Sequence, residues 1–271
     1  MQKPITFFLI LLSGLLLGSC AKELTEPLSP ESTAIVESYI CAGDSIITIK
    51  LTKLLPFSDD TSESTEYISG LHLQVNGENL TETGNGIYTL WLGENRIQPG
   101  ETYSLKFGYF NDTVSSATTI PEKPENFALS EYYVYADRIS SSGFVPGGSG
   151  PMDDIDLTWT NDDGSYYYVL IEYLGSTPDY INYNMADADV STVQSIAPMS
   201  SSGTRIGMRN LYFFGSYRVV LFKVNKDFVD LYQQTSANSN NITNPVTTIN
   251  NGFGVFTGMA SDTAFLDVLE N

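Results

Sequence analysis

A two-residue alternation of apolar and polar side chains is the feature that most constrains the fold of this chain. Every second residue from Tyr103 to Tyr109 is aromatic or aliphatic, and the same holds from Ile47 to Leu51. Successive side chains of a strand point to opposite faces, so this pattern predicts strands with one buried face. Dipeptides such as Asn76-Gly77 separate these segments and favour the positive φ angles of tight hairpins. The chain is therefore predicted to be mainly antiparallel β structure.

Turns and prolines divide this β structure into two regions. Residues 34–121 hold several short strands, and the run from Pro99 to Tyr109 looks like the closing hairpin of immunoglobulin-like and transthyretin-like modules. In residues 122–271, the alternating segments on either side of Asn161–Gly164 resemble the opening strands of a fibronectin type III sandwich. The predicted fold class is a mainly β protein: an immunoglobulin-like or transthyretin-like β-sandwich, then a fibronectin type III-like β-rich region with one short helix.

Three further elements are predicted in the second region. Phe127–Ala136 is expected to form one strand. Tyr217–Val224 is apolar on both faces, which predicts a central strand that is covered on both sides. A short helix is predicted near residues 226–234, because Phe228 and Tyr232 recur at helical spacing and Asn225 is placed to cap the start.

The first twenty residues predict export and lipid attachment. Lys3 precedes an apolar run from Ile5 to Leu17, which is too short to span a bilayer and has the length of a signal-peptide core. The ending Leu17-Gly18-Ser19-Cys20 resembles the bacterial lipobox, which implies removal of residues 1–19 and acylation of Cys20, including palmitate. The alternative is a secretory signal that is cleaved after Ser19 without lipidation.

Residues 20–33 are predicted to be a lipidated N-terminus and a flexible tether. Pro27 and Pro30 stand among Ser, Thr and Glu, so little in this segment can pack. An extended proline-rich chain of the length of residues 23–33 reaches about 30 Å. Aspartate does not follow Cys20, and Lys22-Glu23 resembles the surface-export signal of Bacteroides-type lipoproteins, although Leu24 stands where a second acid is expected. We therefore expect a lipid-anchored location at the outer membrane, facing the cell exterior.

Charge excludes one class of partner. The formal net charge is -19 and the sequence pI is about 4.1. Nucleic-acid binding requires clustered Lys and Arg to neutralise phosphates, so no nucleic-acid partner is expected. The acidic surface is explained by solubility.

Candidate catalytic groups are few. His72 is the only histidine, and it lies between Leu71 and Leu73, so alternation directs it away from the apolar face. A nucleophile needs a base within hydrogen-bonding reach, and Cys41 is better explained as a small residue that packs at a strand end. The sequence predicts no enzyme and no cofactor, although a pair of carboxylates for glycoside hydrolysis is left open because their separation is spatial.

Acidic residues between 153 and 163 offer an alternative role in calcium binding. Hard cations prefer several oxygens around one point, and five aspartates occur here: Asp153, Asp154, Asp156, Asp162 and Asp163. The spacing lacks the glycine of an EF-hand loop, so a solvated strand edge is the favoured interpretation and no metal is predicted.

Tyrosines provide the candidate binding residues. Tyr132, Tyr133, Tyr135 and the run Tyr166–Tyr168 offer a stacking platform for sugars or a patch for a partner protein, with packing within the sheet as the favoured alternative. Tyr180 and Tyr183 lie in a loop with Pro178, and they are the predicted ligand or partner contacts.

Several segments together resemble an uncharacterised family of Bacteroides-type outer-membrane lipoproteins. Near the C-terminus these are a helix with Asp227, Tyr232 and Gln233, then Asn244-Pro245 and Asn251–Phe256; near the N-terminus they are Ala34–Glu37 and Gly86–Tyr88. The resemblance implies a β-sandwich with an appended β-rich region, a gene often close to those of TonB-dependent receptors, and no known catalytic residues. We therefore expect a non-catalytic accessory binding or scaffold component of a TonB-dependent nutrient-uptake system. The alternative is a structural or adhesive subunit of a cell-surface assembly.

Overall fold

The computed structural model describes residues 33–54, 65–94, 96–139, 153–185, 188, 190–207, 209–236 and 246–271. The predicted signal peptide, Cys20, the tether up to residue 32 and Asn244-Pro245 lie outside the described residues. Within the described ranges, no helix has both the length and the apolar character that crossing a bilayer requires.

The described residues form sixteen strands and one α-helix. The strands of the first region are β1 Ala34–Cys41, β2 Ile46–Lys53, β3 Gln74–Val75, β4 Glu78–Asn79, β5 Thr81–Gly84, β6 Ile87–Trp91, β7 Thr102–Tyr109 and β8 Asp112–Thr119. The remaining elements are β9 Glu125–Leu129, β10 Tyr133–Ala136, β11 Ile155–Thr160, β12 Tyr166–Tyr173, a 3-10 turn Tyr183–Met185, β13 Val193–Met199, β14 Gly203–Ile206, β15 Gly215–Val224, helix α1 Lys226–Ser236 and β16 Phe253–Glu270.

One long sheet extends through both regions. Its strand order is β13-β12-β15-β16-β1-β2-β6-β5, and β10 also pairs with β16. A four-stranded sheet, β4-β3-β7-β8, packs against its β1-β2-β6 part, and a three-stranded sheet, β14-β11-β9, packs against its β12-β15-β16 part. The molecule is thus mainly β with two sandwich-like units, as the alternation predicts.

The strand β16 connects the two units. Its residues 253–259 pair in parallel with β1, and residues 259–268 pair antiparallel with β15. Phe256 belongs to the first hydrophobic core and Leu266 to the second. At about 3.3 Å per residue, these 18 residues extend for about 60 Å. The predicted boundary between residues 121 and 122 stays a prediction, and the structure adds that Ile249 and Phe256 pack in the N-terminal core.

The predicted strands of the first unit have the predicted buried faces. Ile47, Ile49 and Leu51 are fully buried, and the four apolar residues from Tyr103 to Tyr109 are buried as well. Asn76 and Gly77 have φ angles of 51° and 84°, and they connect β3 to β4. The tight hairpin that Asn76-Gly77 predicts is therefore confirmed.

One predicted strand is wrong in its extent. Residues 127–136 form parts of two strands, because β9 pairs with β11 in the three-stranded sheet and β10 pairs with β16 in the long sheet. Leu129 and Val134 are both buried, and the chain bends between them at Ser130, whose N–H donates to the carbonyl of Asp156. Apolar alternation on both sides of the bend conceals this change of sheet.

The predicted helix is present as α1, and it rests on the outer face of the long sheet. Phe228 contacts Tyr39 of β1 and Tyr168 of β12, with ring centroids 6.2 Å and 5.2 Å apart. The side-chain amide of Asn225 donates to Thr118 Oγ1 and to the carbonyl of Thr119. The helix therefore braces the two units against each other where β16 crosses between them.

Candidate functional site

An exposed aromatic surface lies at the C-terminal end of β16, away from the residues 253–259 that pair with β1. In the parallel β10–β16 ladder, Tyr133 is opposite Asp267 and Tyr135 is opposite Leu269. Val134 alternates with these tyrosines and is buried in the second core, so the tyrosines point outward. We call the set Tyr133, Tyr135, Phe265 and Leu269 the distal face.

The side chains of the distal face are accessible to solvent. Tyr133, Tyr135 and Phe265 have relative exposures between 53% and 59%, and the neighbouring Tyr132 is equally open. Isolated exposed apolar residues are ordinary, but a contiguous group on one rigid sheet indicates an interaction surface.

The geometry of the two tyrosine rings favours a protein partner over a sugar. The ring centroids of Tyr133 and Tyr135 are 6.1 Å apart and their planes are at 82°. Such perpendicular rings present one face and one edge, whereas a sugar that stacks on both rings would need them to be nearly coplanar. An irregular apolar protein surface can fit both orientations.

A polar strip borders the aromatic residues. Ser216 Oγ donates to Asp267 Oδ1 at 2.6 Å, and Arg218, opposite Phe265 in the ladder, forms an ion pair with Glu172. Because Asp267 and Arg218 already have partners within the sheet, they need not be left unpaired when an apolar partner covers the distal face. Aromatic residues beside arginine are typical of energetically important interface positions.

Arg138 forms ion pairs with Glu270 and Asp179 at the border of the distal face, and we call these three residues the clamp. Its guanidinium donates to both carboxylate oxygens of Glu270 at 2.7 Å and to Asp179 at 2.7 Å and 3.1 Å. These hydrogen bonds from Arg138 hold the pKa of Glu270 and that of Asp179 below their usual values. The same guanidinium lies 4.6 Å from the ring centroid of Phe214, which adds a cation–π contact. One side chain thus joins the end of β16 to the loop before the 3-10 turn.

The two predicted contact tyrosines lie beside this clamp and differ in their environment. Tyr180 packs edge-on against Phe213, with ring centroids 5.1 Å apart, and its carbonyl accepts a hydrogen bond from Arg138 at 3.0 Å. Tyr183 is 60% exposed. Tyr180 is therefore partly a core residue, and a role of either tyrosine in ligand or partner contact stays a prediction.

The tyrosine run in β12 is used for packing. Tyr167 is buried and stacks near Trp159, while Tyr168 contacts Phe228 and Tyr232 of α1. This arrangement agrees with the packing interpretation that the alternation favours.

The candidate catalytic residues His72 and Cys41 are both within the part of the chain that the structure describes. His72 is exposed and lies two residues before β3 begins. Cys41 Sγ lies 3.8 Å from Ser261 Oγ at the end of β1. Burial raises the pKa of the Cys41 thiol, which disfavours the reactive thiolate.

Two of the five aspartates between residues 153 and 163 form ion pairs. Asp156 pairs with Arg205 at 2.7 Å, and Asp163 pairs with Lys223 at 3.0 Å. Over the described ranges, the acidic, histidine and cysteine side chains form no group of three that is suited to hold a metal ion. Hydrogen bonds from Ser165 and Lys223 lower the pKa of Asp163, which is consistent with a charged surface residue.

The first sandwich has a cleft of about 330 Å³ between its two sheets. Ile47, Val75 and Leu90 form its apolar floor, and Arg96 and Glu101 are at its rim. Arg96 donates to the carbonyl of Gly43 at 2.9 Å, and Tyr103 donates to Glu101 at 3.2 Å, so the rim groups are used within the fold.

Sequence reasoning missed Phe265, Leu269 and Arg138. The segment from Ala264 to Leu269 has apolar residues on both faces, so its pattern gives no outward direction. Only the pairing of β16 with β10 and β15 determines which of them face solvent. Arg138 carries no motif, and its acidic partners are far from it in sequence.

The fold and this surface define a class: a β-sandwich protein with an exposed aromatic face. The chain belongs to the family described as domain of unknown function DUF4249, whose family model matches residues 22–264. A search of curated proteins gave no match.

Three solved structures are similar to this chain at low identity. The central fibronectin-III array of RIM-binding protein is 10% identical, with 90% of this chain and 72% of that chain covered and a TM-score of 0.23. The chicken CNTN1 FN1–FN3 domains are 13% identical, with 86% and 64% covered and a TM-score of 0.27. Titin domains A168–A170 are 13% identical, with 72% and 61% covered and a TM-score of 0.19. The chain spans less than two thirds of the length of the last two.

Proposed function

We propose that this protein is a non-catalytic outer-membrane lipoprotein that docks a partner protein through the distal face. Its role is that of an accessory binding or scaffold component beside a TonB-dependent nutrient transporter. The lipid anchor is Cys20, and the body faces the cell exterior.

The observation that carries the proposal is the position of the distal face relative to the start of the folded chain. Ile35 pairs with Phe253 at the first residue of β16, and Ala136 pairs with Glu270 at its last residue. The start of β1 and the aromatic residues are therefore at opposite ends of β16. A protein that is anchored through its N-terminus presents its distal face away from the point of attachment.

A pull-down from detergent-solubilised outer membranes tests the docking role. The wild-type chain is compared with Tyr133→Ala/Tyr135→Ala/Phe265→Ala, and we expect the triple variant to lose a co-purifying barrel receptor. Trp91→Ala is the matched control, because Trp91 is strongly exposed and lies outside the distal face. Equal recovery of the receptor with the triple variant would refute docking through this surface.

The same preparation separates the two candidate roles. A transporter accessory should elute with one receptor, whereas a structural or adhesive subunit should form large particles of this chain alone. Mass spectrometry of the native protein tests the anchor: we expect an N-terminal acylated Cys20, and an intact leader or a free thiol would contradict it.

A further inference from the structure

The hairpin between β7 and β8 ends in an unusual residue. Tyr109 pairs with Asp112, so Phe110 and Asn111 are the two residues of the loop. Phe110 has a φ angle of 51°, in the left-handed region where a two-residue hairpin normally has Gly, Asn or Asp. A bulky side chain at positive φ is an outlier, and such strain is often maintained at functional sites.

The ring of Phe110 contributes little to the fold. It is 69% exposed, which is the largest value among the big apolar side chains of the described residues. Among the described residues, its aromatic neighbour is Tyr109, with ring centroids 4.8 Å apart in a T-shaped arrangement. A glycine would relieve the backbone strain and would lose almost no buried area, so folding alone does not explain phenylalanine here.

The hairpin tip lies at the end of the molecule where the N-terminal segment joins the sheet. Leu54 N–H donates to the carbonyl of Thr33, and Lys53 pairs with Ala34 in the β1–β2 ladder. Lys53 also forms an ion pair with Glu66 at 2.7 Å, and both charges influence the hydroxyl of Tyr109. Asn251, beside the start of β16, donates to the carbonyl of Thr113. These contacts place Phe110 and Thr33 at one pole, opposite the distal face.

We propose that Phe110 inserts its ring into the lipid surface to which the N-terminal segment attaches the protein. The inference rests on the lipid anchor of the proposed function. Aromatic rings partition favourably into the interfacial region of a bilayer. Attachment through the same pole keeps Phe110 at a high effective concentration near the surface, so one weakly binding ring is sufficient.

Charge argues for an apolar contact with lipid rather than an electrostatic one. The chain has a net charge of -19, and an acidic protein is repelled by anionic headgroups. The consequence of insertion is orientation: β16 would point away from the bilayer, and the distal face would be held clear of it.

Quenching by brominated lipids tests the contact directly. The full lipidated chain is reconstituted in phosphatidylcholine vesicles, with Phe110→Trp as the reporter and Tyr133→Trp as the matched control at the other pole. We expect bromolipids to quench Phe110→Trp clearly more than the wild type, whose own tryptophans are Trp91 and Trp159, and to leave Tyr133→Trp at the wild-type level. Equal quenching of the two variants, high or low, overturns the proposal.

Flotation of the vesicles separates this inference from the proposed function. Wild-type chain that fails to float, like Cys20→Ser, refutes the anchor and the inserted ring together. Wild-type chain that floats without additional quenching of Phe110→Trp refutes only the contact of Phe110.

Phe110→Gly provides a second readout. We expect its melting temperature to equal or exceed that of the wild type, because the φ strain is relieved. A clear loss of thermal stability would show that the ring is a packing residue and would overturn the proposal. Loss of a co-purifying protein from Phe110→Gly, without lipid quenching at this position, would assign the ring to a protein partner instead and would also overturn it.

Discussion

Val36 and Gly254 face each other across the parallel β1–β16 ladder with no room for a side chain between them. A Cβ on Gly254 would lie 2.0 Å from the carbonyl oxygen of Val36, and Gly254 has a φ angle of 102°. Both the contact and the backbone angle require glycine. This close approach fixes the register of β16, the last strand, against β1, the first strand.

Gly254→Ala should therefore destabilise the protein strongly, by about 3 kcal/mol or more, because the backbone must shift and a strained φ must be retained. Gly108→Ala is the matched control, since Gly108 is also in a strand and a Cβ there meets nothing within 4 Å. Denaturant unfolding monitored by circular dichroism measures both. Similar unfolding midpoints for the two variants would contradict the role of the close approach.

Arg138→Met should loosen the edge of the distal face. Glu270 and Asp179 would lose their shared partner, and we expect a loss of about 1–2 kcal/mol in the free energy of unfolding, since the side chains are partly exposed. Arg138→Lys should recover only part of it, because an ammonium group cannot form two bidentate contacts. Arg205→Met, which breaks a more exposed pair with Asp156, is the control and should lower the free energy of unfolding less than Arg138→Met does.

The contribution of this clamp should depend on pH. Hydrogen bonds from Arg138 lower the pKa of Glu270 and of Asp179 in the folded protein. Their stabilisation is therefore complete above the unfolded pKa values near 4, and it is lost as the pH falls through the lower, folded values. The difference in melting temperature between wild type and Arg138→Met should shrink as the pH falls from about 4 to about 2. A difference that stays constant over this range would be evidence against the clamp.

Tyr217→Phe tests a buried polar contact in the second core. The Tyr217 hydroxyl accepts from the N–H of Phe213 and donates to its carbonyl, both at 2.8 Å, and burial raises the pKa of this phenol. Removing the hydroxyl leaves two backbone groups without their partner, so we expect a loss of about 1–3 kcal/mol. Tyr183→Phe, at an exposed position, should leave the melting temperature unchanged. Equal melting temperatures for both variants would show that water replaces the hydroxyl.

Local patterns were enough to predict most strands and their buried faces. Alternation identified the inward residues of β2 and β7, because a half-buried strand needs only its own sequence to show which side is apolar. The helix was predicted from the spacing of Phe228 and Tyr232 for the same reason. Both signals are contained within about ten residues.

Long-range pairing was beyond such patterns. The parallel contact of Ile35 with Phe253 joins residues from nearly opposite ends of the chain, and no short motif specifies it. The distal face also depends on long-range strand pairing. Phe265 faces solvent because its neighbour Leu266 packs in the second core, and adjacent residues of a strand point to opposite faces. For Tyr133 and Tyr135 the favoured prediction of packing within the sheet was wrong and the alternative of an exposed patch fits their exposure, while their neighbours on β16 were not predicted at all.

The length and position of β16 also have a consequence for biogenesis. Because this strand is the last described element and contributes to both cores, neither sandwich can close its sheet until residues 253–270 have emerged. Pairings between such distant segments form slowly, which leaves the polypeptide open and aggregation-prone for longer. We expect a chain that is truncated before Phe253 to leave both cores incomplete and to be degraded. Synthesis of residues 253–270 would then decide whether the whole protein folds.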